Sequence, residues 1–288
     1  MNYLRHFGLR EAPFGITPDT SFFFACRSTQ EALNTLLIAV TNGEGFIKIT
    51  GEIGTGKTIL CRKFLATLDS AWTSAYIPNP DLEPRALVQQ IAEELGVRVE
   101  PGVDQHHLLK GITRVLLDNA RQGRRVLLCM DECQGMPLET LETVRLLTNL
   151  ETEKRKLLQV VLFGQPELDR KLDSESIRQL RQRITFQYSL LGLDREEIGA
   201  YVEHRLAIAG HGGPPLFEPG ALRALHRASR GVPRLVNILC HKALLLVFGE
   251  GGRSAGRRHV QAAVADTPAA ADARRWWWPR LRTTRAAD

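Results

Sequence analysis

Gly51-Glu52-Ile53-Gly54-Thr55-Gly56-Lys57-Thr58 matches the pattern G-x-x-x-x-G-K-[ST] and lies between an apolar run and a helical pattern. The run Gly45-Phe46-Ile47-Lys48-Ile49-Thr50 is short and β-prone, while Ile59, Leu60, Phe64, Leu65 and Leu68 recur at helical spacing. Strand, glycine-rich turn and helix form the context in which this pattern cradles phosphate. Glycines at 51, 54 and 56 let successive backbone N–H groups converge on phosphate oxygens, and a helix starting near Lys57 adds its positive N-terminal end. Lys57 is placed to reach the β- and γ-phosphates of a nucleotide. The Thr58 hydroxyl is a hard oxygen of the kind Mg²⁺ takes, so ATP and Mg²⁺ are the expected cofactors.

Working outward, Val126-Leu127-Leu128-Cys129-Met130 is a continuous apolar run, the mark of a strand buried on both faces of a parallel sheet. It ends in Asp131-Glu132. Ligands of open α/β sheets bind beyond the carboxyl ends of strands, so both carboxylates should face the nucleotide. Asp131 is expected to hold the Mg²⁺ shell and Glu132 to orient and polarise the attacking water. The bland alternative, a solvated acidic turn, is weakened by the loop upstream. A second buried run, Leu157 to Phe163, ends in Gly164-Gln165-Pro166. Gln165 either senses the γ-phosphate and holds the lytic water or simply satisfies turn backbone. Then Ile177 to Arg183 precedes a strand-like Ile184 to Tyr188. Arg181 and Arg183 read as a solvated helix end or as donors to transition-state charge at a neighbouring phosphate. Thr73 to Ile77 reads as a further strand, with helices over about 83–95 and 105–121 and from Pro137.

Toward the ends, the first 27 residues carry Phe7, Phe14 and Phe22-Phe23-Phe24 among Pro and Gly, suggesting an extended arm packed on a domain. Ser28-Thr29-Gln30-Glu31 has the form of a capping box, and Ala32, Leu33, Leu36, Leu37 and Val40 make an apolar stripe ending near Asn42-Gly43. From Leu193 the pattern is all helical, over about 194–209, 218–229 and 233–248, and a short helix includes His259 to Val264. Gly231-Val232-Pro233-Arg234 places Arg234 on a first helical turn, from which it is expected to reach the nucleotide; a surface arginine is the alternative. The expected division is an arm over 1–27, a nucleotide-binding α/β domain over 28–192, a helical domain over 193–266 and an unpacked basic, Trp-rich tail over 267–288. No internal repeat is present.

A chain of 288 residues, 43% hydrophobic and 24% charged, has the chemistry of a folded protein with a substantial core. The net charge of +6 is concentrated at one end: from Gly252 onward eight arginines face three aspartates, leaving the rest near neutral. Cys26, Cys61, Cys129, Cys133 and Cys240 are scattered and odd in number, and no second Cys/His pair completes a zinc site around Cys129 and Cys133. A reduced, cytoplasmic protein is expected. The N-terminus lacks an apolar signal core, and no run approaches the roughly 18 residues of a membrane span.

With these residues assembled, the chain resembles the AAA+ ATPases of the secretion-ATPase (general secretion pathway A, ExeA-like) group over about residues 3 to 267. The resemblance rests on Phe7-Gly8-Leu9 with Pro13-Phe14, Gly45-Phe46-Ile47-Lys48, Asp131-Glu132, Phe163 to Leu168, Leu180-Arg181-Gln182-Arg183 and Gly231 to Asn237. It implies a P-loop α/β fold with a parallel five-stranded sheet flanked by helices and a small all-helical lid. It implies Walker A at 51–58, with Gly51, Glu52, Ile53, Gly54, Thr55, Gly56, Lys57, Thr58 and the adjoining Ile59 binding nucleotide. Walker B falls at 126–132, sensor 1 near Gln165, an arginine finger at Arg181 or Arg183 and sensor 2 at Arg234. Gln165 stands where many AAA+ proteins carry Asn. Larger members continue into a membrane span and a peptidoglycan-binding domain, and cell-wall binding is not carried over to this chain.

The favoured reading is an ATPase supporting assembly of a type IV pilus-like or secretion machine at the inner membrane, acting as a head-to-tail oligomer or ring with the machine's assembly proteins as partners. A DNA-transposition ATPase and a slow recruitment switch are the alternatives. The near-neutral body argues against DNA, whose binding relies on neutralising several phosphates. Arg274-Arg275-Trp276-Trp277-Trp278-Pro279-Arg280-Leu281-Arg282 interleaves cations with amphipathic rings, which suits peripheral contact with anionic head groups. Deleting residues 273–288 is expected to abolish co-sedimentation with anionic vesicles; unchanged sedimentation ends that reading.

Overall fold

Five β-prone runs form β1 (Phe46–Gly51), β2 (Trp72–Ile77), β3 (Arg125–Met130), β4 (Leu158–Gly164) and β5 (Ile184–Leu190). They make one sheet in the order β2-β3-β4-β1-β5, and every pairing is parallel. This computed structural model describes residues 3–100, 102–151 and 156–270. Alternation on β3 explains its unbroken apolar sequence. Leu127 and Cys129 join Leu36, Ile47, Ile49, Leu60, Phe64 and Phe163 on one face, while Leu128 and Met130 join Leu87, Ile91, Leu108 and Ile112 on the other. Both faces are covered, so neither can be polar. Register then aligns the strand ends: Thr50 pairs with Gly164, Gly51 with Leu190, and Met130 with both Ile77 and Leu162. The turns that follow β1, β3 and β4 therefore leave from one edge of the sheet.

The helices in chain order are α1 (Tyr3–His6), α2 (Arg27–Asn42), α3 (Lys57–Ala66), α4 (Pro84–Glu94), α5 (Gln105–Arg121), α6 (Leu138–Leu147), α7 (Glu167–Leu172), α8 (Arg178–Arg181), α9 (Glu197–Ile208), α10 (Pro219–Ser229), α11 (Pro233–Gly249) and α12 (Arg257–Ala265). Residues 18–191 form one compact unit, which holds the whole sheet. Residues 3–17 and 192–270 belong to the other, which is helical.

Three local features depart from the sequence reading. The capping box at Ser28 to Glu31 does not form, because its side chains are engaged elsewhere. Cys26 is the N-cap residue, Ser28 Oγ accepts from the Leu191 N–H at 2.9 Å, and Glu31 takes the Arg27 guanidinium and the Tyr188 hydroxyl. The first 27 residues are not one arm. Phe7, Leu9 and Phe14 are buried in the helical unit, where Arg205 Nε donates to Pro13 O and Asn237 Nδ2 to Gly15 O, whereas Phe22 and Cys26 are buried in the α/β unit. Finally, Thr267 and Ala270, expected to be unpacked, are buried, and Thr267 Oγ1 donates to Ala263 O at 2.7 Å. The tail beyond them, with Arg274 to Arg282, lies outside the described residues.

Within the helical unit, Gly231 holds the segment preceding α11 against the segment preceding α9. Its φ is +77°, and Leu193 N donates to Gly231 O at 2.8 Å. A Cβ at 231 would come 2.0 Å from Leu193 O. Both the backbone conformation and the close approach demand glycine. Gly231→Ala is expected to destabilise the helical unit by about 3 kcal/mol, the sum of a left-handed residue and an overpacked contact. A urea-unfolding midpoint equal to wild type contradicts this account.

Candidate nucleotide site

At the end of β1 the chain turns through Glu52 to Gly56 and enters α3 at Lys57. Gly54 and Gly56 have φ of +83° and +100°, conformations that side-chain-bearing residues rarely adopt and that turn backbone N–H groups inward. Thr55 closes the loop on itself, its Oγ1 donating to Glu52 O at 2.8 Å. Among the described residues the N–H groups of Gly54, Gly56, Lys57 and Thr58 have no backbone acceptor, which leaves a concave row of donors at the positive end of a helix. The Lys57 ammonium folds over this loop and donates to Gly51 O and Glu52 O at 2.8 and 3.1 Å. It is only 5% exposed, and burial lowers its pKa while Glu132 and Asp131 act in the opposite sense.

Across the β4 strand end, Asp131 leaves β3 and is 2% exposed. Its Oδ2 accepts from Thr58 Oγ1 at 2.5 Å, and its Oδ1 accepts from the Glu132 N–H at 2.9 Å. Burial raises the carboxyl pKa, and the Thr58 hydroxyl works against that rise. Two hard oxygens from different elements thus meet at one point. Among the described residues no group of three or more His, Cys, Asp or Glu forms a protein cage for a metal. A cation held by Thr58 and Asp131 would complete its shell with phosphate and water, the habit of Mg²⁺. The residues fit that ion.

Glu132 occupies the left-handed region at φ 55°, ψ 34°. Its Oε2 accepts from Gln134 Nε2 at 2.5 Å and from Gln165 Nε2 at 3.2 Å, and Gln134 Oε1 accepts from the Gln165 N–H at 3.0 Å. The structure therefore brings Lys57, Thr58, Asp131, Glu132 and Gln165 to one edge of the α/β unit. Gln134 joins them and was passed over in the sequence; a polar amide two residues after the acidic pair was the available signal.

The arginines before β5 stand elsewhere. Ile184 pairs with Phe46, the first residue of β1, so Arg181 and Arg183 lie at the amino edge of a sheet whose strands are about 20 Å long. Arg183 Nη1 donates to Arg145 O and Thr148 Oγ1 at 3.3 and 3.2 Å, closing the C-terminal end of α6. Arg181 is exposed and pairs with Asp173 at 2.9 Å. Arg234 is exposed on the first turn of α11 in the helical unit.

Residues 40–172 match the family described as an AAA domain. Over 274 residues, 95% of this chain, the sequence is 40% identical to general secretion pathway protein A of Aeromonas hydrophila, and the chain spans half the length of that relative. The fold is similar to that of the Cdc6p protein of Pyrobaculum aerophilum, with TM-score 0.64 and 17% identity over 86% of this chain and 70% of that one. It is also similar to the ORC2 protein of Aeropyrum pernix, with TM-score 0.60 and 18% identity over 87% of this chain and 72% of that one. Another similar structure is the RuvB Holliday junction branch migration motor of Thermotoga maritima, with TM-score 0.58 and 15% identity over 88% of this chain and 73% of that one.

The two arginines of the β5 approach separate cleanly by experiment. Arg183→Ala removes both bonds at the end of α6 and is expected to cost about 1 kcal/mol in urea unfolding. Arg181→Ala breaks an exposed ion pair with Asp173 and should change stability by less than about 0.5 kcal/mol. The reverse ranking refutes the structural role given to Arg183.

Proposed function

We propose that this chain, whose residues 40–172 match the AAA domain family on a P-loop NTPase fold, binds and hydrolyses ATP with Mg²⁺ and that this cycle supports assembly of a type IV pilus-like or secretion apparatus at the inner membrane. The observation that carries the chemistry is the 2.5 Å contact between Thr58 and Asp131, with Glu132 next in the chain and Lys57 buried alongside. The 40% identity to a general secretion pathway protein A supports the assembly role. The motifs also resemble those of the pilus-biogenesis ATPase MshM.

Each side chain then has one task. The amides of Gly54, Gly56, Lys57 and Thr58, with Gly51, Glu52, Ile53, Thr55 and Ile59 shaping and flanking the loop, receive the phosphates, and Lys57 supplies a positive charge from a dry position where it is strongest. Thr58 and Asp131 hold Mg²⁺, which when bound neutralises phosphate oxygens. Glu132 accepts a proton from the attacking water and fixes its direction. Gln165 offers an amide to the γ-phosphate side, and Arg234 is the second sensor.

Arg181 is the finger. It lies at the sheet edge opposite the loop, too far to serve its own nucleotide, and among the described residues its side chain gives up an exposed ion pair where Arg183 would give up two bonds at the end of α6. A head-to-tail neighbour brings it to a second site, and such contacts close into rings or continue as helices. The near-neutral body leaves DNA outside the reading.

In steady-state assays Lys57→Ala should lose ATP binding, while Glu132→Gln should bind ATP and turn over at least about 100-fold more slowly. Arg181→Ala should cost on the order of 10³-fold in turnover with binding retained. Mixing Arg181→Ala with Glu132→Gln should restore activity, since one interface then pairs an intact arginine with an intact glutamate. No recovery, together with a rate per subunit independent of protein concentration, defeats the shared site. Stimulation of turnover by duplex DNA counts against the assembly role.

A further inference from the structure

The short turn Cys133–Gly135 after the acidic pair is fixed on both sides of Gln134. Cys133 and Met136 are fully buried, Cys133 Sγ donates to Met130 O at 3.3 Å, and Lys171 Nζ from α7 donates to Met136 O at 2.7 Å. Gln134 is thus a side chain on a rigid platform. Its amide has two ends whose identities follow from chemistry alone. A carboxylate only accepts, so the end facing Glu132 Oε2 at 2.5 Å is the NH₂; a backbone N–H only donates, so the end facing Gln165 N at 3.0 Å is the oxygen. β4 ends in Gly164, where a Cβ would crowd Leu168 Cδ2 at 2.8 Å and would just touch Gln134 Oε1 at 3.4 Å. One side chain therefore ties the turn after β3 to the turn after β4.

From this geometry we infer that Gln134 is the positioning residue for Glu132: it holds one carboxylate oxygen so that the other is directed at the attacking water, and it makes Glu132 and Gln165 move as one unit. The inference rests on the proposed hydrolysis at Glu132 and adds how that group is aimed. Without Gln134, the Oε2 atom keeps only the longer 3.2 Å bond from the Gln165 side chain. That bond comes from the amide proposed to meet the γ-phosphate with its second N–H, so Gln134 is the donor to Glu132 that has no other task. The Gln134 amide touches no nucleotide in this scheme and has one function, alignment. Misplacing a reacting group by about 1 Å costs on the order of 10²-fold in rate without weakening ground-state binding.

The test measures steady-state kinetics with Mg-ATP, and equilibrium binding of a fluorescent ATP analogue, for the full chain carrying Gln134→Leu, Gln134→Glu, Gln165→Leu, the double Leu variant and Glu132→Gln. Gln134→Leu should lower kcat by about 100-fold with KM and analogue affinity within about threefold of wild type. Gln134→Glu keeps the shape but replaces the donor with a like charge, so it should lose at least as much; it carries the expectation alone should the Leu variant fail to bind the analogue. The double Leu variant should be no slower than about threefold below Gln165→Leu, because residues that act as one unit are not additive. Wild-type kcat in Gln134→Leu or Gln134→Glu, with Glu132→Gln inactive, overturns the inference and leaves the hydrolysis reading standing. Losses that multiply in the double variant overturn the coupling. A turnover near wild type in Glu132→Gln overturns the hydrolysis reading itself.

Discussion

A buried ammonium and a buried carboxylate must each be answered by a partner, and the carboxyl edge of the sheet is organised around that requirement. Lys57 and Asp131 are both nearly inaccessible, and burial disfavours the charged form of each. The protein supplies partial answers: two loop carbonyls for Lys57, the Thr58 hydroxyl and the Glu132 N–H for Asp131. Lys57 and Asp131 also attract each other, and Glu132 adds to the field at Lys57, which offsets part of the cost of burial. In the proposed reading, phosphate would add a partner for the lysine and a divalent cation one for the aspartate. Burial that makes an unanswered charge costly also makes an answered one strong, since Coulomb interactions grow as the local dielectric falls. Parallel strand pairing provides the geometry, because it releases the loop after β1, the acidic pair after β3 and the amide after β4 from one side.

Much of this was readable in the residues. The unbroken apolar run of β3 announced burial on both faces, and the covered faces of Leu127 and Leu128 show why no polar residue could stand there. The phosphate loop was legible because its requirements are local: glycines where φ is positive, then a lysine and a hydroxyl on a first helical turn. Asp131 and Glu132 followed from their place at a strand end. The position of Gln134 was not legible in the same way. Its importance comes from the distance between two turns that are about 30 residues apart in sequence, and no period or composition records that distance. Ser28 to Glu31 failed for a related reason. A capping box is a local motif, but Ser28 and Glu31 are claimed by Leu191 and Tyr188 from the far end of the unit, and tertiary bonds displaced the local ones.

The sheet also separates two kinds of arginine. Arg183 was indistinguishable from Arg181 in sequence, two residues apart on the approach to one strand. In the structure Arg183 turns toward the carbonyl of Arg145 and the hydroxyl of Thr148, a helix C-terminal end that favours a cation, whereas Arg181 faces solvent beside Asp173. Arg145 itself is nearly buried against Glu142, so the end of α6 is a small network rather than a frayed terminus. A residue committed to such a network is poorly suited to swing toward another molecule. The exposed one can do so at the loss of a solvent-screened pair worth little.

Glu132 shows how the two halves of this site depend on each other. A non-glycine residue in the left-handed region costs on the order of 1 kcal/mol or more, and such strain persists only where surrounding bonds over-determine it. Three bonds do so here: the Glu132 N–H to Asp131, and the two amides of Gln134 and Gln165 to its carboxylate. The strained backbone has a consequence for direction. An extended continuation of β3 would carry Glu132 onward along the strand, whereas the left-handed turn folds the chain back into the Cys133–Gly135 turn and brings the carboxylate beside the end of β4. The cost of the conformation is therefore tied to the placement of the group, and the amide of Gln134 is the link that makes the placement specific.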